Sequence, residues 1–383
     1  MNRFHTKLDA IEKHILHKDL SLAFRQLVDA ILDTKKTSLY KACIELTDWK
    51  ESERYEEQQF IERCQKLILE MRSLTIHDAG TTDLVVANGI TKGYRRGNFH
   101  IGPIDISVKT GEIWGLVGEN GNGKTTLLRM LCGDLSFSGG NINYPFSSEH
   151  IDRYALRTKL TYIPQRTPKW YGSLMSNLQF TASHYGLKGE ENTLMVQMMI
   201  IRFGLWKFRH LQWNELSSGY KMRFELARTF LRSPKLLLLD EPLANLDVLA
   251  QQLVLEDLKS LSQSISNPIG IILSSQQLFE VEKISDKVLF LRDGKPTFKT
   301  EIDSNAAHTT TLIELDSSAE RVMIEKAMAG LPLIGLHFNG GIYMIELEGS
   351  GKMSDVLKRI VDADIPVTYI RDISQSTRRL FVK

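Results

Sequence analysis

A nine-residue stretch in the first half of the chain decides the fold: Gly118-Glu119-Asn120-Gly121-Asn122-Gly123-Lys124-Thr125-Thr126. It follows an apolar run at 113–117 and precedes a helical pattern at 127–131, which is the strand, loop and helix context of a phosphate-binding loop. Glycines let backbone N–H groups point at phosphate oxygens, and a helix N-terminus adds partial positive charge. We therefore predict that Lys124 reaches the β- and γ-phosphates of a nucleotide and that the Thr125 hydroxyl is a magnesium ligand.

A pair of acidic residues narrows the class of protein. The phosphate loop alone is compatible with a kinase, a GTPase or a transporter motor. Four leucines at 236–239 predict a buried strand that ends in Asp240, and Glu241 follows directly. Asp240 can hold magnesium, and Glu241 is placed to polarise an attacking water as a general base.

A third segment, 215–223, contains Ser217, Ser218 and Gly219 and precedes another helical pattern. Serine and glycine backbone at the start of a helix can bind an anion. By itself this is a weak signal, because Ser-Gly clusters mostly mark loops.

Together these motifs resemble the ATP-binding-cassette (ABC) ATPase family over roughly residues 84–296, because few families place Leu-Ser-x-Gly before an Asp-Glu pair. The resemblance implies an α/β fold, namely a P-loop ABC-type nucleotide-binding domain with a helical insert. It also implies that ATP and Mg²⁺ are the cofactors and that the activity is ATP hydrolysis.

The family pattern also implies roles for single residues. Tyr94 resembles the aromatic residue that stacks on adenine, and Gln165 resembles the glutamine that contacts magnesium and senses a transmembrane partner. Ser217 and Gly219 resemble the residues that grip the γ-phosphate held by the opposite subunit, and 244–247 resembles the loop that links the two sites. The predicted nucleotide-binding residues are Tyr94, Gly118, Glu119, Asn120, Gly121, Asn122, Gly123, Lys124, Thr125, Thr126, Ser217 and Gly219. The predicted magnesium ligands are Thr125, Gln165 and Asp240, and the predicted catalytic residues are Glu241 and Gln276.

The sequence departs from the family pattern at two places. The segment 217–220 reads Ser-Ser-Gly-Tyr instead of Ser-Gly-Gly-Gln, which keeps the hydroxyl and the key glycine. Gln276 stands where the family carries its switch histidine. Glutamine can hydrogen-bond a γ-phosphate oxygen but cannot carry a charge or relay a proton. We therefore expect that hydrolysis is slow.

The periodicity of the chain divides it into three predicted domains. Residues 1–78 have helical spacing, with breaks near 33–36 and 48–51, and predict a small helical domain of three or four helices. The ABC ATPase domain covers 84–296 and is expected to end in a last strand at 287–291 with a turn at 292–295. Residues 309–372 show a βαββαβ pattern, which predicts a ferredoxin-like α+β domain over 309–383.

Two further segments resemble exporter-type motor subunits. The segment 172–187 is similar to the helical insert on which a permease docks, and Trp170, Tyr171 and Leu174 are the candidate contacts. The segment 374–381 is loosely similar to a terminal motif of that branch.

Composition excludes several other classes. Of 383 residues, 42% are hydrophobic and 25% are charged, and 48 Lys and Arg against 46 Asp and Glu leave a net charge of +2. This nearly neutral net charge differs from the strongly positive charge that is typical of a nucleic-acid-binding protein. The apolar runs fall short of the ~20 residues that span a bilayer. The N-terminus lacks a signal-peptide core and the three cysteines lack metal-ligand spacing, so we expect a reducing cytoplasm.

The resulting hypothesis is the motor subunit of an ABC transporter, located in the cytoplasm and held on the inner face of the plasma membrane by an integral membrane permease on a separate chain. We expect a homodimer, or a pair with a related ABC subunit, and no nucleic-acid partner. Two alternatives stay open at this point: an ABC ATPase outside transport, and an ATP-dependent binding switch that turns over slowly. The transported substrate is not predicted.

Overall fold

The computed structural model describes residues 3–94, 99–147, 153–301, 310–339, 341–349 and 351–374. The chain divides into two compact units, Met1–Gln277 with Leu289–Phe298, and Leu278–Val288 with Lys299–Lys383. The helices described are α1 Arg3–Leu16, α2 Leu20–Thr34, α3 Thr37–Lys50, α4 Glu57–Arg72, α5 Lys124–Leu131, α6 Arg153–Lys159, α7 Leu174–His184, α8 Gly189–Arg202, α9 Ser218–Phe230, α10 Val248–Ser262, α11 Leu278–Glu282, α12 Arg321–Ala327 and α13 Met353–Asp362. The strands described are β1 Asp83–Gly93, β2 His100–Lys109, β3 Ile113–Val117, β4 Gly139–Asn143, β5 Leu160–Ile163, β6 Leu236–Leu239, β7 Gly270–Ser275, β8 Lys287–Arg292, β9 Lys295–Glu301, β10 Thr310–Asp316, β11 Leu333–Asn339, β12 Ile342–Glu348 and β13 Tyr369–Asp372.

The N-terminal segment folds as four helices, α1 to α4, and their apolar spacing explains why they pack together. In α1 every third or fourth side chain is buried, namely Phe4, Leu8, Ile11 and Ile15. The Asp19 side chain accepts a hydrogen bond from Leu22 N at 3.2 Å and so caps the start of α2. The predicted breaks at 33–36 and 48–51 fall at the ends of α2 and α3.

All three cysteines are buried free thiols. Burial raises the pKa of Cys43 and of Cys64 to about 12 and that of Cys132 to about 11. These side chains therefore stay protonated at neutral pH and act as small apolar residues in the core.

The central sheet has six strands in the order β5-β6-β7-β3-β8-β9. Strand β6 lies between β5 and β7 and pairs with both in parallel register. Its four leucines are fully buried, which is typical of a parallel strand that is covered on both faces. An antiparallel sheet in the order β2-β1-β4 belongs to the same unit. The apolar core that joins the two sheets contains Trp114.

The prediction of the last strand of the sheet was wrong. The sequence analysis placed the last strand at 287–291, whereas β9 follows β8 after a turn at Asp293 and Gly294. Both turn residues have positive φ, 49° and 76°, which is the conformation that Asp-Gly favours in a two-residue hairpin. The turn therefore leads into one more strand of the sheet.

The second unit contains a four-stranded sheet in the order β11-β12-β10-β13. Its strand pairs are antiparallel, and α12 and α13 occupy the two helical places of the βαββαβ pattern. The order of strands and helices agrees with the predicted βαββαβ pattern, whereas the ferredoxin-like assignment and the domain boundaries stay predictions. The terminal motif predicted at 374–381 lies outside the described residues, apart from Ser374.

Helix α2 joins the N-terminal helices to the central sheet domain through Asp33, which is 3% exposed. Asp33 Oδ1 accepts hydrogen bonds from Ser264 Oγ at 2.7 Å, from the backbone N of Ile265 and Ser266 at 3.1 Å, and from Ser266 Oγ at 3.2 Å. Its Oδ2 accepts from Lys7 Nζ at 2.8 Å. One buried carboxylate therefore satisfies five donors.

Among the described residues, none of the helices combines the length and the apolar content that a membrane span requires.

The substitution Asp33→Ala tests the packing of α2. It leaves Lys7 and the donors at 264–266 without their buried acceptor, so we expect the free energy of unfolding to fall by about 3 kcal/mol. Urea denaturation followed by circular dichroism measures the loss. Glu45→Ala removes an exposed carboxylate from α3 and is expected to change stability by less than about 0.5 kcal/mol. An equal effect of the two substitutions would contradict the interpretation.

Candidate functional site

The predicted phosphate loop connects β3 to α5, and two of its glycines are required by close contacts. Gly123 precedes α5 with φ of 96°, and a Cβ atom there would lie 2.6 Å from Ile101 Cδ1. A Cβ atom on Gly118 would lie 2.5 Å from the Leu291 carbonyl oxygen. Larger residues at these positions would displace the loop from the helix N-terminus, so the glycines fix the orientation of its backbone N–H groups.

Lys124 is the first residue of α5, and its side chain is 5% exposed. Its ammonium donates to the carbonyl oxygens of Gly118 at 2.6 Å and Glu119 at 3.2 Å. It also lies 3.3 Å from Glu241 Oε1. The loop therefore folds over this ammonium. Two backbone carbonyl oxygens and one carboxylate hold the ammonium in place.

Asp240, at the carboxyl end of β6, connects the phosphate loop to three strands. Its Oδ2 accepts from Thr125 Oγ1 at 2.7 Å and from Tyr162 OH at 3.1 Å, and its Oδ1 accepts from Ser274 Oγ at 2.9 Å. Burial and the nearby Asp240 raise the pKa of Tyr162 above its usual range, so its hydroxyl stays a donor.

The sequence analysis did not select Tyr162 or Ser274 as site residues. Tyr162 lies near the end of β5 and Ser274 near the end of β7, the two strands that flank β6. Because the carboxyl ends of parallel strands meet at one edge of the sheet, polar residues at these ends were the signal that could have identified both.

Glu241 is the residue on which the other predicted site residues converge. Its carboxylate accepts from Gln165 Nε2 at 2.8 Å and from Gln276 Nε2 at 3.1 and 3.2 Å, and it pairs with Lys124. Its backbone N donates to Ser274 Oγ at 2.9 Å, and its φ is 46°, which is unusual for a residue with a side chain. The structure thus brings three separately predicted residues to one carboxylate.

The remaining residues of the loop have different surroundings. Glu119, Asn120 and Gly121 are exposed. Asn122 Oδ1 accepts from Asp293 N at 3.1 Å, so this side chain holds the loop against the turn between β8 and β9. The Thr126 hydroxyl lies 3.3 Å from Tyr94 OH.

Tyr94, the predicted adenine platform, is 39% exposed beside the start of α5. Lys92 Nζ lies 6.0 Å from its ring centroid. An exposed aromatic ring that is joined to the phosphate loop through Thr126 can stack on a base.

Ser217 and Gly219 lie at the N-terminus of α9. Ser217 Oγ accepts from Tyr220 N at 3.4 Å, and Ser218 Oγ donates to the Asn245 carbonyl oxygen at 3.0 Å. A Cβ atom on Gly219 would lie 2.9 Å from Ala250 Cβ. This segment therefore packs on the loop before α10 and on α10 itself.

The structure corrects part of the predicted docking surface. Leu174 is 2% exposed and belongs to the core, so it cannot be a surface contact. Trp170 Nε1 donates to Glu225 Oε1 at 2.5 Å, and the Arg228 guanidinium lies 4.4 Å from its ring centroid, so this indole has partners within the chain. Tyr171 is 90% exposed and is the remaining candidate.

The oxygen atoms at this edge of the sheet fit magnesium. Thr125 Oγ1 and Asp240 Oδ2 lie 2.7 Å apart, and both are hard oxygen donors. In the described part of the chain no three His, Cys, Asp or Glu side chains form a metal-binding group.

Comparisons with known proteins found similar sequences and a similar structure for the central part of the chain. Residues 101–244 match the family model described as ABC transporter. An uncharacterized ABC transporter ATP-binding protein, YhaQ of Bacillus subtilis (strain 168), is 28% identical over 202 residues, which cover 52% of this chain and 65% of YhaQ. The phosphonates import ATP-binding protein PhnC of Treponema denticola is 28% identical over 229 residues, which cover 56% of this chain and 88% of PhnC. A solved structure of the ATP binding subunit of an ABC transporter shares 27% identity at a TM-score of 0.50 and covers 57% of this chain and 90% of that one.

These matches agree with the predicted family over residues 101–244 and confirm the predicted α/β fold class. The chain spans slightly less than two thirds of YhaQ. PhnC is named for import, and the exporter-type likeness of the two segments stays a prediction.

Proposed function

We propose, from the premise that residues 101–244 belong to the ABC transporter family, that this chain is the ATP-hydrolysing subunit of a transporter. In this proposal two subunits pair head to tail around two ATP molecules and drive a permease on a separate chain. The convergence of Lys124, Gln165 and Gln276 on Glu241 is the observation that carries the proposal. A phosphate-binding residue, a partner-sensing residue and the residue at the switch position all contact the proposed base.

The loop 118–126 would bind the phosphates of ATP, and Tyr94 would stack on the adenine. Lys124 links nucleotide binding to catalysis, because a γ-phosphate oxygen would compete with Glu241 for the same ammonium. Binding would therefore free the Glu241 carboxylate from this ion pair, and the carboxylate could then accept a proton from an attacking water.

Thr125, Gln165 and Asp240 would hold magnesium, which supplies charge neutralisation at the β- and γ-phosphates. Ser274 and Tyr162 donate to Asp240 and so orient its carboxylate toward Thr125.

Ser217 and Gly219 would complete the site of the opposite subunit. Their position at the start of the 13-residue helix α9 places backbone N–H groups and a hydroxyl at a helix N-terminus, which favours an anion. Each complete site would thus need both subunits.

The paired arrangement is tested with Glu241→Gln. This substitution removes the proposed base and keeps the shape of the side chain, so hydrolysis should fall by about 10²–10⁴ while ATP still binds. Size-exclusion chromatography with light scattering should then show an ATP-dependent dimer. Lys124→Ala in the same background is the control, and it should stay monomeric with ATP. A Glu241→Gln monomer with saturating ATP would refute the head-to-tail pair.

The alternative function is an ATP-dependent binding switch with slow turnover, and Gln276 is the observation that favours it. Gln276 is exposed and donates to both carboxylate oxygens of Glu241, a bond that holds the base but relays no proton.

The substitution Gln276→His distinguishes a motor whose hydrolysis rate is limited by Gln276 from an ATP-dependent binding switch. A histidine there can carry charge beside the γ-phosphate, so we expect the hydrolysis rate to rise by about tenfold with little change in ATP affinity. A phosphate-release assay measures the rate, and Gln277→His is the neighbouring control. An unchanged or lower rate would show that the site organises the attacking water without a residue of this kind.

The permease contact is proposed at Tyr171, which precedes α7. A large exposed aromatic side chain near Gln165 along the chain is a suitable interface anchor. The proposal includes a location at the inner face of the plasma membrane, held there by the permease.

Substituting Tyr171→Glu should reduce co-purification with a membrane protein by at least about tenfold and leave ATP binding intact. Phe180→Glu, which changes another exposed aromatic residue, on α7, maps how far the contact extends. If no membrane protein accompanies the parent chain, the transport proposal fails, and an ABC ATPase outside transport becomes the better hypothesis.

A further inference from the structure

A buried chain of charged side chains runs from the N-terminal helix α2 to α9, the helix that carries Ser217 and Gly219 at its start. Its centre is Arg202 at the end of α8, whose side chain is 3% exposed. Arg202 Nε donates to Asp29 Oδ1 on α2 at 2.9 Å. On its other side, Arg202 Nη1 donates to Asp257 Oδ1 on α10 at 2.9 Å, and Nη2 donates to the Asp257 carbonyl oxygen at 3.3 Å.

Asp257 connects this chain of side chains to α9. Its side chain is 1% exposed, and its Oδ2 accepts from Arg223 Nε on α9 at 3.1 Å. Asp29 is itself held by Ser260, whose hydroxyl donates to Asp29 Oδ2. Four helices are therefore joined in the order α2, α8, α10 and α9 by hydrogen bonds between charged groups.

The charges of this cluster balance. Arg25 on α2 donates to Glu256 Oε2 at 2.8 Å and to Asp257 Oδ1 at 3.4 Å. Three guanidinium groups thus face three carboxylates, those of Asp29, Glu256 and Asp257. Burial lowers the pKa of Arg202, but Asp29 and Asp257 outweigh this effect and raise it above its usual value. Removing one carboxylate would leave a buried guanidinium without part of its compensation.

The geometry of α9 explains what the cluster can control. Arg223 lies four residues after Gly219, about one helical turn, and on the same helix. At Gly219, α9 is in close contact with Ala250 of α10. The direction of α9, and with it the place of Ser217, is therefore set by its packing on α10 and by the pair of Arg223 with Asp257.

We propose that α2 is a positioning element for the opposite nucleotide site, and that Asp29 acts through Arg202, Asp257 and Arg223 to hold the N-terminus of α9 in place. This inference rests on the proposed function, because Ser217 and Gly219 matter to hydrolysis only in a paired arrangement. Asp29 is a positioning residue in this account. A buried ionic chain suits this purpose, since it defines one arrangement of four helices where apolar contacts would tolerate several.

The test compares Asp29→Asn with Asp33→Asn in the full chain. Both residues are on α2, both are largely buried, and both hold this helix against the same domain. Only Asp29 contacts the chain that leads to α9, whereas Asp33 contacts the loop 264–266. The measured quantities are kcat and KM for ATP, affinity for a fluorescent ATP analogue, and the urea midpoint.

For Asp29→Asn we expect a loss in kcat of about tenfold, with KM and analogue affinity within about twofold of the parent, because the loop 118–126 is unchanged. Asp29→Glu should recover most of the kcat. Asp33→Asn should lower the urea midpoint as well but keep kcat within about twofold. A role in stability alone would move the midpoint and not kcat.

A double-mutant cycle tests the path. If Asp29 acts through Arg223, the kcat losses of Asp29→Asn and Arg223→Gln should not multiply in the double variant. Multiplying losses, or an equal kcat loss in Asp33→Asn, would overturn the inference. The proposed function fails in a different way: the parent chain itself would show no ATP hydrolysis, and the inference would fall with it. A parent that hydrolyses ATP beside an unaffected Asp29→Asn variant overturns the inference alone.

Discussion

The buried ammonium of Lys124 is the constraint on which the rest of the site depends. A charge in the interior needs compensation, and two loop carbonyl oxygens and the Glu241 carboxylate provide it. Because Glu241 follows the buried strand β6, this ion pair ties the phosphate loop to the centre of the sheet. Gln165 and Gln276 then approach the same carboxylate from the ends of β5 and β7. One charge thus organises residues from four segments of the chain.

The same principle operates a second time between the N-terminal helices and the sheet domain. Asp33 satisfies five donors, and Asp29 compensates Arg202. Two carboxylates on a single helix, α2, therefore make polar contacts with the sheet domain at two places. The helices thereby become part of one compact unit with the sheet, and the charged chain reaches the helix that begins at Ser218.

Local patterns allowed much of this to be predicted. The strand, loop and helix around Lys124, the leucine run before Asp240 and the βαββαβ order of the C-terminal segment depend on neighbouring residues, and sequence spacing reports such features directly. The hairpin at Asp293 and Gly294 was missed although its dipeptide is a strong local signal, because the turn was interpreted as the end of the sheet. Leu174 was misjudged because an apolar residue near a loop has the same pattern whether it faces the core or a partner.

The sequence by itself determined the phosphate loop, the acidic pair at 240–241 and the alternation of strands and helices, since each follows from residues that are adjacent or one turn apart. Only the tertiary structure decided that Tyr162 and Ser274 orient Asp240, that Gln165 and Gln276 share Glu241, and that Asp29 is joined to Arg223 through two other side chains. These contacts join residues tens to hundreds of positions apart. Their partners are chosen by the register of parallel strands and by the need to compensate buried charge, and neither is visible until the chain is folded.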